Sequence, residues 1–219
     1  MDVEVVDGLK AIELTYTSSQ EIIEVNDQGV GSHRLSNRRL VKDIYRVSSS
    51  KGKFGRLLFQ ISRYYSPKKM LEFGTSLGVG TYCLAKGNPS AEVISIDACA
   101  QTQSVARRML EGAGIENCTL INATFDHYLS TTKEVSFDLV FIDGHHDGKA
   151  LLRYLEALKP LTHADTIFIL DDIRWSASMF EAWQKIIDDS EYHVTMDFFR
   201  MGMMLRRPQQ RKEHFVVKV

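Results

Sequence analysis

The sequence predicts a doubly wound α/β fold: a mostly parallel sheet with helices on both faces. Short apolar runs at Lys69 to Phe73, Val93 to Asp97, Leu139 to Asp143 and Thr166 to Asp171, with a weaker one at Thr119 to Asn122, lack polar alternation, as strands buried on both faces do. Between them lie amphipathic stretches with apolar residues at helical spacing: Val105, Met109 and Leu110, then Leu151, Leu152, Leu155 and Leu158, then Met179, Trp183, Ile186 and Ile187. Parallel neighbours require crossover connections, and helices used as crossovers cover the sheet on both sides.

The elements follow in order along the chain. Residues 1–50 show weak periodicity, and Asn26 to Gly29 with Ser32 to Asn37 mark loops. Phe54, Leu57, Leu58, Ile61 and Tyr65 recur at helical spacing until Ser66-Pro67 ends that helix and hands over to the first strong strand. Near the end, Tyr192 to Phe199 and Met201 to Arg206 are β-prone runs joined by a short turn around Arg200 to Gly202, which predicts a C-terminal antiparallel hairpin. Arg206, Arg207, Arg211 and Lys212 read as a solvated basic tail.

Composition narrows the function classes. The chain has 219 residues, of which 44% are hydrophobic and 25% charged, which suits a globular protein with a substantial core. With 27 Lys and Arg against 28 Asp and Glu, the net charge of -1 gives no overall attraction to nucleic acid or anionic lipid. Three cysteines, Cys83, Cys99 and Cys118, have no C-x-x-C spacing and read as reduced core thiols. The acidic opening MDVEVVDGLK and the lack of a long apolar stretch predict neither a secretory signal nor a membrane span, and hence a cytoplasmic address.

Chemistry concentrates at three strand ends. Leu71-Glu72-Phe73-Gly74-Thr75-Ser76-Leu77-Gly78-Val79-Gly80-Thr81 runs from a strand through a glycine-rich turn into a helix. Glycines there allow a sharp turn and close backbone approach, while the helix start presents unpaired N–H groups to an anionic group of a cofactor. The spacing G-x-x-x-G-x-G departs from the G-x-G-x-x-G of dinucleotide folds, which argues against NAD or FAD. Asp97, ending Ile94-Ser95-Ile96-Asp97, falls where such folds place a carboxylate against ribose hydroxyls; the alternative role is a helix cap. Asp143, followed by Gly144-His145-His146-Asp147, and Asp171-Asp172 end two further buried runs at the same sheet edge. Three acids brought together there would suit Mg²⁺, Ca²⁺ or Mn²⁺; singly they would serve as helix caps.

Taken together, these motifs resemble the class I S-adenosylmethionine-dependent methyltransferases, and within them the catechol O-methyltransferase-like, metal-dependent small-molecule branch. The resemblance spans Lys51 to Arg206: Ser50-Lys51-Gly52-Lys53 before the first core helix, Leu71-Glu72-Phe73-Gly74 with Gly78, Ile94 to Asp97, Asn122-Ala123-Thr124, Phe141-Ile142-Asp143 and Leu170-Asp171-Asp172. It implies a seven-stranded Rossmann-like sheet in a methyltransferase domain over 51–219, with residues 1–50 as a lid or oligomer contact. S-adenosylmethionine would be held by Glu72, Gly74, Thr75, Ser76 and Gly78, by Asp97 and Ala98 at the ribose, and by Ala123, Thr124, Phe125 and Asp143 around the rest of the cofactor. Mg²⁺ or another divalent cation would sit on Asp143, Asp171 and Asp172, the third being Asp where many relatives have Asn. The family's catalytic lysine is replaced by His146, with Lys149 nearby, so either is the candidate general base for O-methylation of a small molecule. The oligomeric state stays open, although the terminal hairpin and the N-terminal segment could pair between subunits in a homodimer. A metal-dependent hydrolase, or a cofactor-binding relative without catalysis, are the alternatives.

Overall fold

The structure is a computed structural model that describes residues 3–25, 37–48, 50–133 and 135–218. A small antiparallel pair, β1 (Ile22–Glu24) and β2 (Arg38–Leu40), lies apart from the main sheet. That sheet contains β3 (Lys69–Phe73), β4 (Glu92–Asp97), β5 (Cys118–Asn122), β6 (Phe137–Ile142), β7 (Thr162–Leu170), β8 (Val194–Asp197), β9 (Gly202–Leu205) and β10 (Glu213–Val216). Its order is β10-β8-β9-β7-β6-β3-β4-β5, with β3 to β7 mutually parallel and β9 antiparallel to both β7 and β8.

Two apolar layers explain why the strands read as uninterrupted apolar runs. Along β3, Met70 packs into one layer and Leu71 and Phe73 into the other; along β6, Leu139 and Phe141 face the first, Val140 and Ile142 the second. The first layer is closed by α1 (Val3–Ser18), α2 (Val41–Ser48), α3 (Lys53–Tyr65), α4 (Val79–Gly87) and α5 (Ala100–Gly112). The second is closed by α6 (Phe125–Thr131), α7 (Gly148–Leu158) and α8 (Ala177–Asp188), with Trp183 wholly buried. The doubly wound arrangement and the terminal hairpin are as expected.

Some features differ. The sheet has eight strands rather than seven, because β10 adds a parallel edge strand beside β8. Its four residues are all exposed and follow a polar run, so no buried pattern announces it. Arg206 is not part of a solvated tail: its guanidinium bonds Glu191 at 2.7 Å and the His163 carbonyl at 3.2 Å, over the ring of Phe168. In the first fifty residues, α1 buries only Val5, Ile12 and Tyr16, a stripe too narrow for a strong periodic signal, and the Tyr16 hydroxyl donates to the Leu77 carbonyl at 2.7 Å. The loop expected over Asn26 to Gly29 and Ser32 to Asn37 falls, except for Asn37, outside the described residues. The three cysteines are unpaired, and among the described residues no helix is long and apolar enough to cross a membrane.

Phe168 is fully buried within β7. Phe168→Ala should lower stability by roughly 3–5 kcal/mol with an unchanged denaturant slope, as read from urea unfolding.

Candidate active site

The connections of β3 and β6 leave the sheet in opposite directions, so a crevice opens at their carboxyl ends. The Asp143 N–H donates to the Phe73 carbonyl at 2.8 Å, drawing the two tips together. Gly74 follows with φ +109°, and a Cβ there would lie 2.0 Å from the Asp143 carbonyl oxygen, so no larger residue fits. Its N–H donates to the Ile96 carbonyl at 2.9 Å, after which the chain turns through Gly78, φ +80°, into α4. No side chain caps the first amides of α4, which leaves them available to an anionic group.

Asp97 fastens this loop. One carboxylate oxygen accepts the Ser76 N–H at 2.7 Å and the other the Cys99 N–H at 2.8 Å. The same carboxylate therefore ties the glycine loop to the residue that precedes α5, without capping that helix's first turn. Beside it, Ala98 and Cys99 border a cavity of about 410 Å³ shared with Glu24, Val25 and Asn37.

Beneath the loop lies a buried polar network. Glu72, fully enclosed, accepts hydrogen bonds on Oε2 from the Thr81 hydroxyl and from the Ser95 hydroxyl at 2.5 Å, and Ser95 contacts the Thr75 hydroxyl at 2.6 Å. Oε1 has no partner and faces Gly80, where a Cβ would approach to 2.5 Å. Glu72 and Thr75 therefore shape the loop from below. Burial pushes the Glu72 carboxyl up to about 7, opposed by the Ser95 and Thr81 hydrogen bonds.

On the next tip, the Ala123 N–H donates to the Asp97 carbonyl at 3.1 Å, and Thr124 caps α6 by accepting the His127 N–H at 3.1 Å. Phe125 stacks on Phe73 with centroids 4.5 Å apart and lies against Gly144, where a Cβ would meet its ring at 2.9 Å. The residues assigned to the cofactor from sequence thus converge on the tips of β3, β4, β5 and β6.

The three acids also converge, but around a protein cation. Arg200, in the turn between β8 and β9, grips Asp171 bidentately at 3.0 and 2.6 Å and reaches Asp172 at 3.1 Å. The Ile173 N–H donates to the Arg200 carbonyl at 2.9 Å, docking that turn beside the acidic tip. Asp143 accepts the Ser50 hydroxyl at 3.0 Å. Burial, then Asp171 and Asp172, hold the Asp143 carboxyl well above the usual range; burial raises Asp172 as well, with Arg200 opposing. Among the described residues no group of His, Cys, Asp or Glu side chains is arranged to hold a metal ion. The expected metal set does not fit a divalent cation as it stands, because the Arg200 guanidinium is held on two of its three acids, Asp171 and Asp172.

The candidate bases separate. His146 lies 3.9 Å from Asp172 and 5.6 Å from the exposed Trp175 ring, with its imidazole pKa lowered by burial against the opposing pull of Asp172 and Asp171. His145 turns away to the Tyr154 hydroxyl at 3.0 Å. Both histidines and Asp172 have positive φ, 69°, 31° and 52°, so the loop conformation is tightly specified. Lys149, at the second position of α7, is exposed. Sequence reasoning missed Arg200 and the hydrogen bond of Ser50 to Asp143; the one available cue was that three clustered carboxylates need a counter-charge.

Residues 71–173 match a protein family described as a methyltransferase domain. Over that stretch, just under half of its length, the chain is similar to methyltransferase domains. A curated relative, "Probable O-methyltransferase Rv1703c" of Mycobacterium tuberculosis, is 31% identical over 134 residues, which are 55% of this chain, and the chain spans only about half, 55%, of that relative's length. Among solved structures, the O-methyltransferase of Bacillus cereus in complex with S-adenosylhomocysteine aligns with a TM-score of 0.60 at 18% identity, covering 73% of this chain and 83% of that one. The S-adenosylhomocysteine-bound methyltransferase PaMTH1 of Podospora anserina gives 0.64 at 15% identity, over 94% and 97%. At such identities the likeness establishes the methyltransferase fold.

Between the unfolded value of 4.5 and about 7, the folded domain keeps a proton on Glu72 that the unfolded chain has released, so this group's contribution to stability falls as pH rises. Glu72→Gln removes that titration. Without cofactor, the variant should gain about 2–3 kcal/mol relative to the parent between about pH 5 and about pH 8, as measured by urea unfolding at each pH.

Proposed function

We propose that the protein is an S-adenosylmethionine-dependent O-methyltransferase acting on a hydroxyl group of a small molecule. The observation that carries this reading is the tie between Asp97 and the Ser76 amide, which sets a carboxylate beside a glycine loop and an uncapped helix start at the sheet's switch point. The residues fit the cofactor: Gly74 and Gly78 keep side chains out of the loop, and Phe125 gives an aromatic wall over Gly144. Bound S-adenosylmethionine supplies an activated methyl group.

In this reading the amides of Ser76 and of the first turn of α4 bind the methionine carboxylate, and Asp97 with Ala98 holds the ribose. Ala123, Thr124 and Phe125 border the adenine. His146 accepts the proton of the acceptor hydroxyl on a ring nitrogen; its lowered pKa keeps the imidazole neutral, and so able to take up a proton, near neutral pH. Lys149 has no part in this step. Trp175 offers a flat face beside His146 for the body of the acceptor, whereas Tyr45 and Met179 are buried in the core. The hydrolase reading requires a divalent cation to activate water, and the acids it would use are engaged by Arg200.

Isothermal calorimetry should show S-adenosylhomocysteine binding to the wild type, weakened roughly 10–100-fold by Asp97→Ala, the loss expected for hydrogen bonds to a charged group. No binding to the wild type would overturn the cofactor assignment. With an acceptor found by screening phenols and alcohols for S-adenosylhomocysteine release, His146→Ala should lower kcat about 10²–10⁴-fold at unchanged cofactor affinity, while Lys149→Ala changes neither. The wild-type rate should fall as acidification protonates His146, at a pH below the ordinary imidazole value of 6.5.

A further inference from the structure

We propose that Arg200 is the resident cation of the acidic cluster, so that Asp171 and Asp172 anchor a guanidinium that holds the acceptor oxygen, in place of a divalent metal. The inference rests on the methyltransferase reading for the identity of the acceptor, but not for the state of the cluster.

Several observations place Arg200 there as a built feature. Asp171, 1% exposed, uses both carboxylate oxygens on Arg200, at 3.0 and 2.6 Å, the paired geometry that guanidinium and carboxylate planes favour. Asp172 takes a further contact at 3.1 Å, and the same guanidinium lies 5.5 Å from the ring centre of Phe54. The backbone is fixed as well: the Arg200 N–H donates to the Phe198 carbonyl and the Arg200 carbonyl accepts the Ile173 N–H, both at 2.9 Å. A divalent cation would need the same carboxylate oxygens at about 2.0–2.6 Å, and would sit there against the repulsion of a guanidinium already held on them.

Arg200 keeps donors for a ligand. Nε and Nη2 engage the acids, while Nη1 takes part in neither bond to Asp171 nor the contact with Asp172. The side chain is 30% exposed, and Asp172, which it contacts at 3.1 Å, lies 3.9 Å from His146. A guanidinium so held presents N–H groups to an acceptor oxygen and favours its anionic form as the proton leaves for His146. Arg200 is then a substrate-binding residue, and the acids position it.

The test is Mn²⁺ uptake, read by electron paramagnetic resonance on the full chain with and without S-adenosylhomocysteine. The wild type should leave Mn²⁺ free at millimolar concentration. Arg200→Met, which frees the acids, should bind one Mn²⁺ per chain, with a Mn²⁺-dependent rise in Tm that Asp171→Asn in the same background abolishes. Stoichiometric Mn²⁺ binding by the wild type, lost in Asp171→Asn, would overturn the proposal. So would a folded Arg200→Met that binds no Mn²⁺, since Arg200 would then not be what keeps metal out. If Arg200→Met does not fold, the wild-type titration and Arg200→Lys decide, the lysine being expected to admit Mn²⁺ because one ammonium cannot bridge two carboxylates in the same fork. Cofactor affinity, recorded alongside, reports separately on the methyltransferase assignment.

Discussion

The site depends on the contact between the tips of β3 and β6. Once the Asp143 N–H is bonded to the Phe73 carbonyl, the space beyond Phe73 is too small for any side chain, and position 74 must be glycine with a positive φ. That turn sends α4 to one side of the sheet, while the chain after Asp143 leaves toward α7 on the other. The opening between them is where the glycine loop, Asp97 and the acids all point. Both the glycine loop and the acidic tip at Asp143 are therefore positioned by one strand pair whose two faces are buried.

Burial on both faces also governs the electrostatics. Glu72 follows Leu71 on β3 and so must face the first apolar layer, directly under α4. The chain meets that demand with hydroxyls from Thr81 and Ser95 on one oxygen and leaves the other without a partner. A partly satisfied network of this kind fixes the loop conformation while keeping a titratable group beneath it. The stiffness of the loop and its sensitivity to pH share one cause.

The fold was legible because buried parallel strands write themselves as apolar runs, and their tips as the residues that end those runs. Gly74, Asp97, Asp143, Asp171 and Asp172 are all found in this way. The same logic fails for β10, which is exposed throughout, and for α1, whose buried stripe is too thin. Arg206 looked like one cation in a basic tail, yet it packs on Phe168 and bonds Glu191, a contact created only when β9 reaches the sheet. Arg200 was illegible for a related reason: it lies 28 positions beyond Asp172, in a turn with no local chemical pattern, and meets the acids only through the hairpin's docking on Ile173.

That docking changes how the proton-transfer half must work. A guanidinium is always charged, cannot dissociate, and spreads its charge over a planar fork. It offsets Asp171 and Asp172 without neutralising the whole cluster, and the Asp143 carboxyl stays well above its ordinary range because burial and two neighbouring acids oppose its ionisation. A guanidinium also polarises a hydroxyl less than a divalent ion coordinated directly to its oxygen, so more of the deprotonation falls to the base. In the proposed reaction that falls to His146, whose pKa burial lowers against the opposing pull of Asp172 and Asp171. With Arg200 at the cluster, a neutral imidazole beside Asp172 is the kind of base that the proposed reaction calls for.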